Sequence, residues 1–188
     1  MQHWRKSWQK VTGVEVELIG TCLALFSQLD ILPLYISDHL HRLYNKGYIL
    51  LEEQATDSFQ NLLFSILLFR KATGNYPKQI RVITHAFKSK RFLELHAPTI
   101  RWPKERIQVQ GIDPVMSNDA LQSTLRGEEE QGYAAWQSDP MGTGDLLGGK
   151  RKLRGWDASK AAKHFKDLED SVKDLFQGTV SDDLPWTS

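Results

Sequence analysis

The stretch Ser58–Thr73, SFQNLLFSILLFRKAT, limits the fold more than any other part of the chain. Residues 62–69 are apolar on nearly every side of a helix, with Ser65 the polar exception. A surface helix keeps one polar face, whereas a helix that is apolar all round is buried between layers. Both of its ends are marked. Asp57 and Gln60 stand at capping-box spacing, in which the acidic side chain accepts a backbone N–H and the amide reaches back. Gly74 and Asn75 supply a C-terminal stop, and Pro77 follows.

The next segments place this helix in a sheet. QIRVITHAF (79–87) has the β-branched centre of a strand. KSKRFLELHAPTI (88–100) reads as a helix with Phe92 and Leu95 on one side and Pro98 as its stop. ERIQVQGIDP (105–114) reads as a second strand. Strand, helix and strand within about 30 residues make a βαβ unit, with parallel strands and a right-handed crossover. The apolar helix fits as another crossover. The predicted class is α/β, with helices on both faces of the sheet.

After Pro114 the chain turns polar and glycine-rich, with one helix expected from about Ala120 to Trp136. GDLLGGKR (144–151) has the glycine and lysine spacing of a phosphate-binding loop, but Arg151 stands where that loop needs Ser or Thr. Asp139–Pro140 before it reads as a turn and not as the required strand. The stretch is therefore expected as a flexible glycine-rich loop ending in a basic cluster, folded over the sheet's carboxyl edge. Ala161, Phe165, Leu168, Val172 and Phe176 form a helical stripe, Gly178 a C-cap, and 179–188 a tail. In residues 1–48, VEVELIGTCLALF suggests a strand leading into a helix, and LPLYISDHLHRLYNKGY a short helix ended by Gly47.

Charge and composition remove several function classes. The net charge of +1 favours neither nucleic acid nor membrane. The single cysteine, Cys22, excludes a disulfide framework and fits a reducing compartment. The apolar run 14–34 is broken by Glu15, Glu17, Gln28 and Asp30, so no membrane span is expected, and MQHWRKSWQK lacks the apolar centre of a secretory signal. Asp38, His39 and His41 are close in sequence, but His residues two apart do not share a helical face, so no metal site is expected.

In open parallel sheets, ligands sit beyond the carboxyl ends of the strands. Thr84 and His85 end the first strand, and Lys88, Lys90 and Arg91 occupy the first turns of the helix after it. Cations oppose the dipole at a helix N-terminus, and a bound anion would offset that cost. Asp113, at the end of the second strand, suits a hydroxyl contact, a base or a turn cap. Ser58, Gln60 and Asn61 lie at the mouth of the apolar helix, as ligand contacts or caps. Lys150 and Arg151 would add to an anion site if their loop folds over it.

Four pieces of 49–178 resemble the fungal branch of the DUF218 family, the SanA/ElyC/YdcF-like proteins. They are EEQATDSFQNLLFSILLFR, VITHAFKSKRF, IRWPKERIQVQGID and DPMGTGDLLGGKRKLRGW. The resemblance implies a Rossmann-like three-layer α/β/α sandwich with a mainly parallel sheet. It also implies a polar pocket of Glu53, Ser58, Gln60, Asn61, Thr84 and Arg91. S-adenosylmethionine or another nucleotide-like ligand belongs to the same implication. Lys88 stands where bacterial members carry His, which keeps a cation but removes a group titrating near neutral pH. Residues 1–48 lack the family's first glycine turn, which implies a truncated or divergent member. The expected organisation is a divergent segment 1–48, an α/β domain 49–178 and a tail 179–188. Two functions remain open: a protein that binds a small anionic or nucleotide-like molecule, catalytic or not, and a family remnant that only folds or binds partners. The residues specify neither a reaction nor an oligomeric state.

Overall fold

In the computed structural model the described residues are 7–12 and 15–19 (backbone only), 42, 45–46, 49–113, 115–159, 161 and 165–187. Cys22, the Asp38–His39–His41 group and Gly47 lie outside them.

Among the described residues five strands form one sheet, in the order β3-β1-β2-β4-β5. β1 (Ser7–Thr12) and β2 (Glu15–Ile19) are an antiparallel hairpin, in register from Trp8↔Ile19 to Thr12↔Glu15. β3 (Ile49–Glu52) runs antiparallel to β1, with Ser7 opposite Glu52. β2 is parallel to β4 (Gln79–Thr84), with Glu15 opposite Gln79 and Ile19 opposite Ile83. β4 is parallel to β5 (Ile107–Gly111), with Ile80 opposite Ile107 and Thr84 opposite Gly111. The βαβ expectation holds for β4 and β5. The sheet as a whole is mixed, not mainly parallel, because β1 pairs antiparallel on both of its sides. The class is mixed α/β.

The apolar helix is α1 (Ser58–Thr73), bounded by Asp57 and by Gly74 in the left-handed conformation at φ 77°. Leu62, Leu63, Phe64, Ser65, Ile66 and Leu67 are all buried, so its apolar circumference has the expected cause. α1 contacts β1, β2 and β3. From the C-terminal third of the chain, Trp156, Phe165 and Phe176 pack on Phe64 with ring centroids 5.4–5.6 Å away.

The helix after β4 is longer than expected. A 3-10 turn (Ala86–Lys88), Ser89–Arg91, a wide π-helical turn (Phe92–His96) and Ala97–Thr99 form one run, α2. Pro98 does not stop it. A proline inside a regular helix clashes with the carbonyl four residues back. Here Ala97 N–H bonds to the Phe92 carbonyl, five residues back, and the widened turn accommodates the ring. The run ends instead where Arg101 takes φ 52°. α2 lies on β5, and Gly111 permits it: a Cβ there would stand 2.5 Å from the Ala86 Cα.

Asn118–Gly127, a second π-helical turn (Glu128–Tyr133) and Ala134–Ser138 form α3, around the expected 120–136. α4 is Asp145–Leu153. α5 (Asp170–Lys173) continues as a 3-10 turn (Asp174–Gln177) capped by Gly178 at φ 78°. The stripe expected around it is buried at Ala161, Phe165, Leu168 and Val172, although turns interrupt the helix at 165–168. The segment expected as a tail is docked. Leu184 and Trp186 are buried, and Trp186 Nε1 donates to the Ile100 carbonyl at 2.7 Å. Arg106 returns a bond to the Trp186 carbonyl at 2.9 Å. Among the described residues no helix is long and apolar enough to cross a membrane.

Candidate functional site

The turn from β3 into α1 is built on buried polar groups. The Glu52 carboxylate accepts from Gln54 N–H at 2.6 Å and Ala55 N–H at 3.1 Å. Burial outweighs those bonds and pushes its pKa up to about 7. Asp57 Oδ1 then accepts from Gln60 N–H at 2.9 Å, the expected cap. The Gln60 amide reaches back one residue further than a capping box requires, to Thr56 N–H and Oγ1, both at 2.7 Å.

The other Asp57 oxygen reaches across 94 residues. Its Oδ2 accepts from Arg151 Nε at 2.6 Å, with the two side chains 9% and 8% exposed. The Arg151 guanidinium lies over the rings of Trp136 and Phe59, 5.6 and 5.8 Å from their centroids. Next to Asp57, Ser58 Oγ is 2.8 Å from His96 Nε2. His96 has no exposure and is boxed by Trp136, Phe92 and Phe59 at 4.7–5.7 Å. Burial, then the charges of Arg91 and Arg151, hold its pKa well below the usual value, so the ring is neutral. Arg91 is itself buried, with Nε 3.3 Å from Glu128 Oε1. Burial lowers its pKa while Glu128 and Asp57 support its charge. Burial also raises the pKa of Glu128, against the pull of Arg91 and Lys88.

Among the described residues, four buried polar atoms of this cluster lack a hydrogen-bond partner: Arg91 Nε, Glu128 Oε1, His96 Nδ1 and Arg151 Nη2. The first two face each other, and a small rotation would pair them. His96 Nδ1 and Arg151 Nη2 remain, and buried groups of this kind ordinarily have partners. His96 closes one π-helical turn and Glu128 opens the other. Such turns are frequent at functional sites, where they re-aim side chains.

Of the sequence-predicted residues, Ser58, Arg91 and Arg151 belong to this cluster. Gln60 is buried but is used in the cap. Asn61 is half-buried on the first turn of α1. Glu53 is exposed, and the buried acid is its neighbour Glu52. Thr84 is buried at the end of β4, and its carbonyl accepts from Ile112 N–H at 2.7 Å. His85 stacks on Phe87, with Nδ1 3.2 Å from the Ile112 carbonyl. Asp113 is exposed and accepts from Ala86 N–H at 2.7 Å, so it caps the start of α2, not a turn after itself. Lys88 is half-buried and interacts with Glu128. Lys150 is half-buried on α4. His96, Glu128 and Asp57 as an ion-pair partner were not singled out in the sequence.

The GDLLGGKR stretch is helix, not flexible loop. α4 runs through Gly148, Gly149, Lys150 and Arg151, with Gly144 as its N-cap. One glycine there has a packing reason, since a Cβ on Gly148 would lie 3.2 Å from the Thr143 carbonyl. The helix presents Arg151 inward to Asp57 and leaves Leu146 and Leu153 exposed.

Beside Arg151 lies a cavity of about 170 Å³, walled by Phe59, Leu63, Phe64, Met141, Trp156 and Phe176, with Gln60, Thr143, Arg151 and Lys152 as its polar members. Gly142, at φ 64°, also lines it. Among the described residues no three His, Cys, Asp or Glu side chains gather as a metal site.

No family model matches the chain, and no solved structure matches it. It is similar to a Saccharomyces cerevisiae protein named "Uncharacterized protein YOR238W", with 28% identity over 168 residues, covering 80% of this chain and 55% of that protein. The chain thus spans about half the length of this curated relative.

Proposed function

We propose that the chain binds a small anionic molecule, of the phosphate or carboxylate class, at the Arg91–His96–Arg151 cluster. One observation carries this: among the described residues, Arg151 Nη2 and His96 Nδ1 are buried without partners in a site where two arginines set the potential. Arg91, Arg151 and the half-buried Lys88 supply three cations against Asp57 and a Glu128 whose ionisation burial opposes. A guanidinium with a free N–H edge suits an oxyanion, and Ser58 Oγ and His96 stand ready as neutral partners. The site adjoins the N-terminus of α1, a favourable position for negative charge.

The DUF218 resemblance and its three-layer Rossmann-like architecture remain part of this proposal. The parallel β2-β4-β5 half of the sheet and the buried α1 support them. A nucleotide-like ligand such as S-adenosylmethionine is within the same class of anion-bearing molecules, and a cytoplasmic setting accompanies it. A second reading, a non-catalytic domain that docks partners, is favoured by Leu146 and Leu153, which are 62% and 90% exposed on α4.

A thermal-shift screen with inorganic phosphate, sugar phosphates, nucleotides and S-adenosylmethionine tests the proposal. A ligand at a hundred times its Kd stabilises the fold by about 2.7 kcal/mol. Arg91→Gln and Arg151→Lys should weaken that shift. If no anion moves the melting point, or if both variants keep the full shift, the anion site is wrong.

A further inference from the structure

The cavity beside Arg151 bears on what the anion is attached to. Its walls are mainly carbon, and three of its residues already form a stack. Phe64 lies 5.5 Å from Trp156 at 26° between planes, and 5.6 Å from Phe176 at 20°. Its volume, about 170 Å³, is close to the roughly 150 Å³ of an apolar cavity known to hold benzene. An alkyl chain would fill such a space, but a flat ring would also extend the aromatic stack.

The charged end of the cavity is equally defined. Arg151 forms part of the wall, and Gly142 packs closely against its guanidinium. A Cβ on Gly142 would stand 2.5 Å from Arg151 Nη2 and 2.8 Å from the Trp136 ring. Nη2 itself is sealed behind that glycine, so the cations the cavity offers are the remaining surface of Arg151 and the exposed Lys152, both on its wall. The cavity therefore joins a ring-sized aromatic compartment to a wall that carries two cations. Neither feature alone selects a ligand class; the two together do.

We infer that the site takes a planar aromatic ring carrying an anionic substituent, with the ring against Phe64, Trp156 and Phe176 and the anion toward the Arg151 and Lys152 side of the cavity. This rests on the anion-binding proposal above and adds the group that accompanies the charge.

The test compares phenyl phosphate, cyclohexyl phosphate and methyl phosphate by calorimetric titration of the whole chain. Phenyl phosphate should bind about tenfold or more tightly than methyl phosphate, the gain expected from burying one ring. It should also bind more tightly than cyclohexyl phosphate, which has similar carbon content but no flat face. Trp156→Leu and Phe176→Leu each keep an apolar wall and remove one ring. Whichever of them folds should bring phenyl phosphate down toward cyclohexyl phosphate and leave methyl phosphate unchanged. Equal binding of all three esters overturns the ring compartment and leaves the anion site standing. Tighter phenyl binding that both variants retain places the ring elsewhere and overturns the inference. Binding of none of them removes the anion site and the inference together.

Discussion

Asp57 holds two structures at once, and substitutions can separate them. Oδ1 caps α1 through Gln60 N–H, and Oδ2 pairs with Arg151 Nε at 2.6 Å. Asn is as good a helix cap as Asp, so Asp57→Asn keeps the first role and removes the second. Both side chains are at least nine-tenths buried, so Arg151 would be left as an uncompensated cation in the core. Removing one partner of a buried pair costs about 3–5 kcal/mol. The rings of Phe59 and Trp136 hold part of the charge, which places the expected loss at about 3 kcal/mol. Asp57→Ala loses the cap as well, about 1 kcal/mol more. Arg151→Met replaces the cation with an apolar chain of similar length between the same rings. The double variant Asp57→Asn/Arg151→Met should then lose less than Asp57→Asn alone, with a coupling of about 2 kcal/mol. Equilibrium urea unfolding followed by tryptophan fluorescence and circular dichroism reads this. At a slope of about 2 kcal/mol per molar, the Asp57→Asn midpoint should fall by about 1.5 M. If Asp57→Asn unfolds within ~0.3 M of the native chain, or if the two single losses simply add, the Asp57–Arg151 pair does not couple the two elements.

Other consequences are independent of that pair. Glu52 has its carboxyl pKa raised from 4.5 to about 7 in the fold, so the folded chain holds a proton that the unfolded chain releases in between. Its stabilising effect is complete below 4.5 and is lost as pH rises through 7, a change of about 3 kcal/mol. Glu52→Gln should remove that slope, which urea midpoints of both proteins from pH 5 to 8 will show. His96 is depressed instead, so the stability linked to it is present above the ordinary value of 6.5 and is lost as pH falls. Its ring resonances in NMR spectra should not titrate near 6.5; a normal titration there would contradict its burial between two arginines. Trp186→Ala should cost about 3–5 kcal/mol in thermal unfolding, because the indole is buried and bonded to Ile100. A change below ~1 kcal/mol would mean that 179–187 is a tail after all.

The parts of the fold legible in the sequence are those set by local rules. α1 announced itself through its apolar circumference, Asp57 and Gly74, and all three act as expected. β4 and β5 pair in parallel, and α3 spans the predicted region. What stayed hidden depends on distance or on phase. The resemblance pointed to Glu53, whereas the buried acid is Glu52, one residue earlier at the end of β3, and one residue along a strand changes which face a side chain takes. α4 was taken for a loop because glycines disfavour helix, yet Arg151 on α4 is anchored to Asp57 and packed against two rings, contacts that override propensity. His96 meets Ser58 across 38 residues, a contact no local pattern records. Pro98, read in the sequence as a stop, instead sits just after the wide turn that ends on His96.

The most direct test of the central claim is a phosphate titration followed by NMR, on the arginine Nε–H signals and the His96 ring. An anion on Arg91 and Arg151 neutralises the charges that depress His96. The account predicts that the Arg91 and Arg151 signals shift together and saturate, and that the His96 pKa rises as they do. If only exposed arginines such as Arg101 and Arg126 respond, while Arg91, Arg151 and His96 stay unchanged at saturating phosphate, the buried cluster is not an anion site.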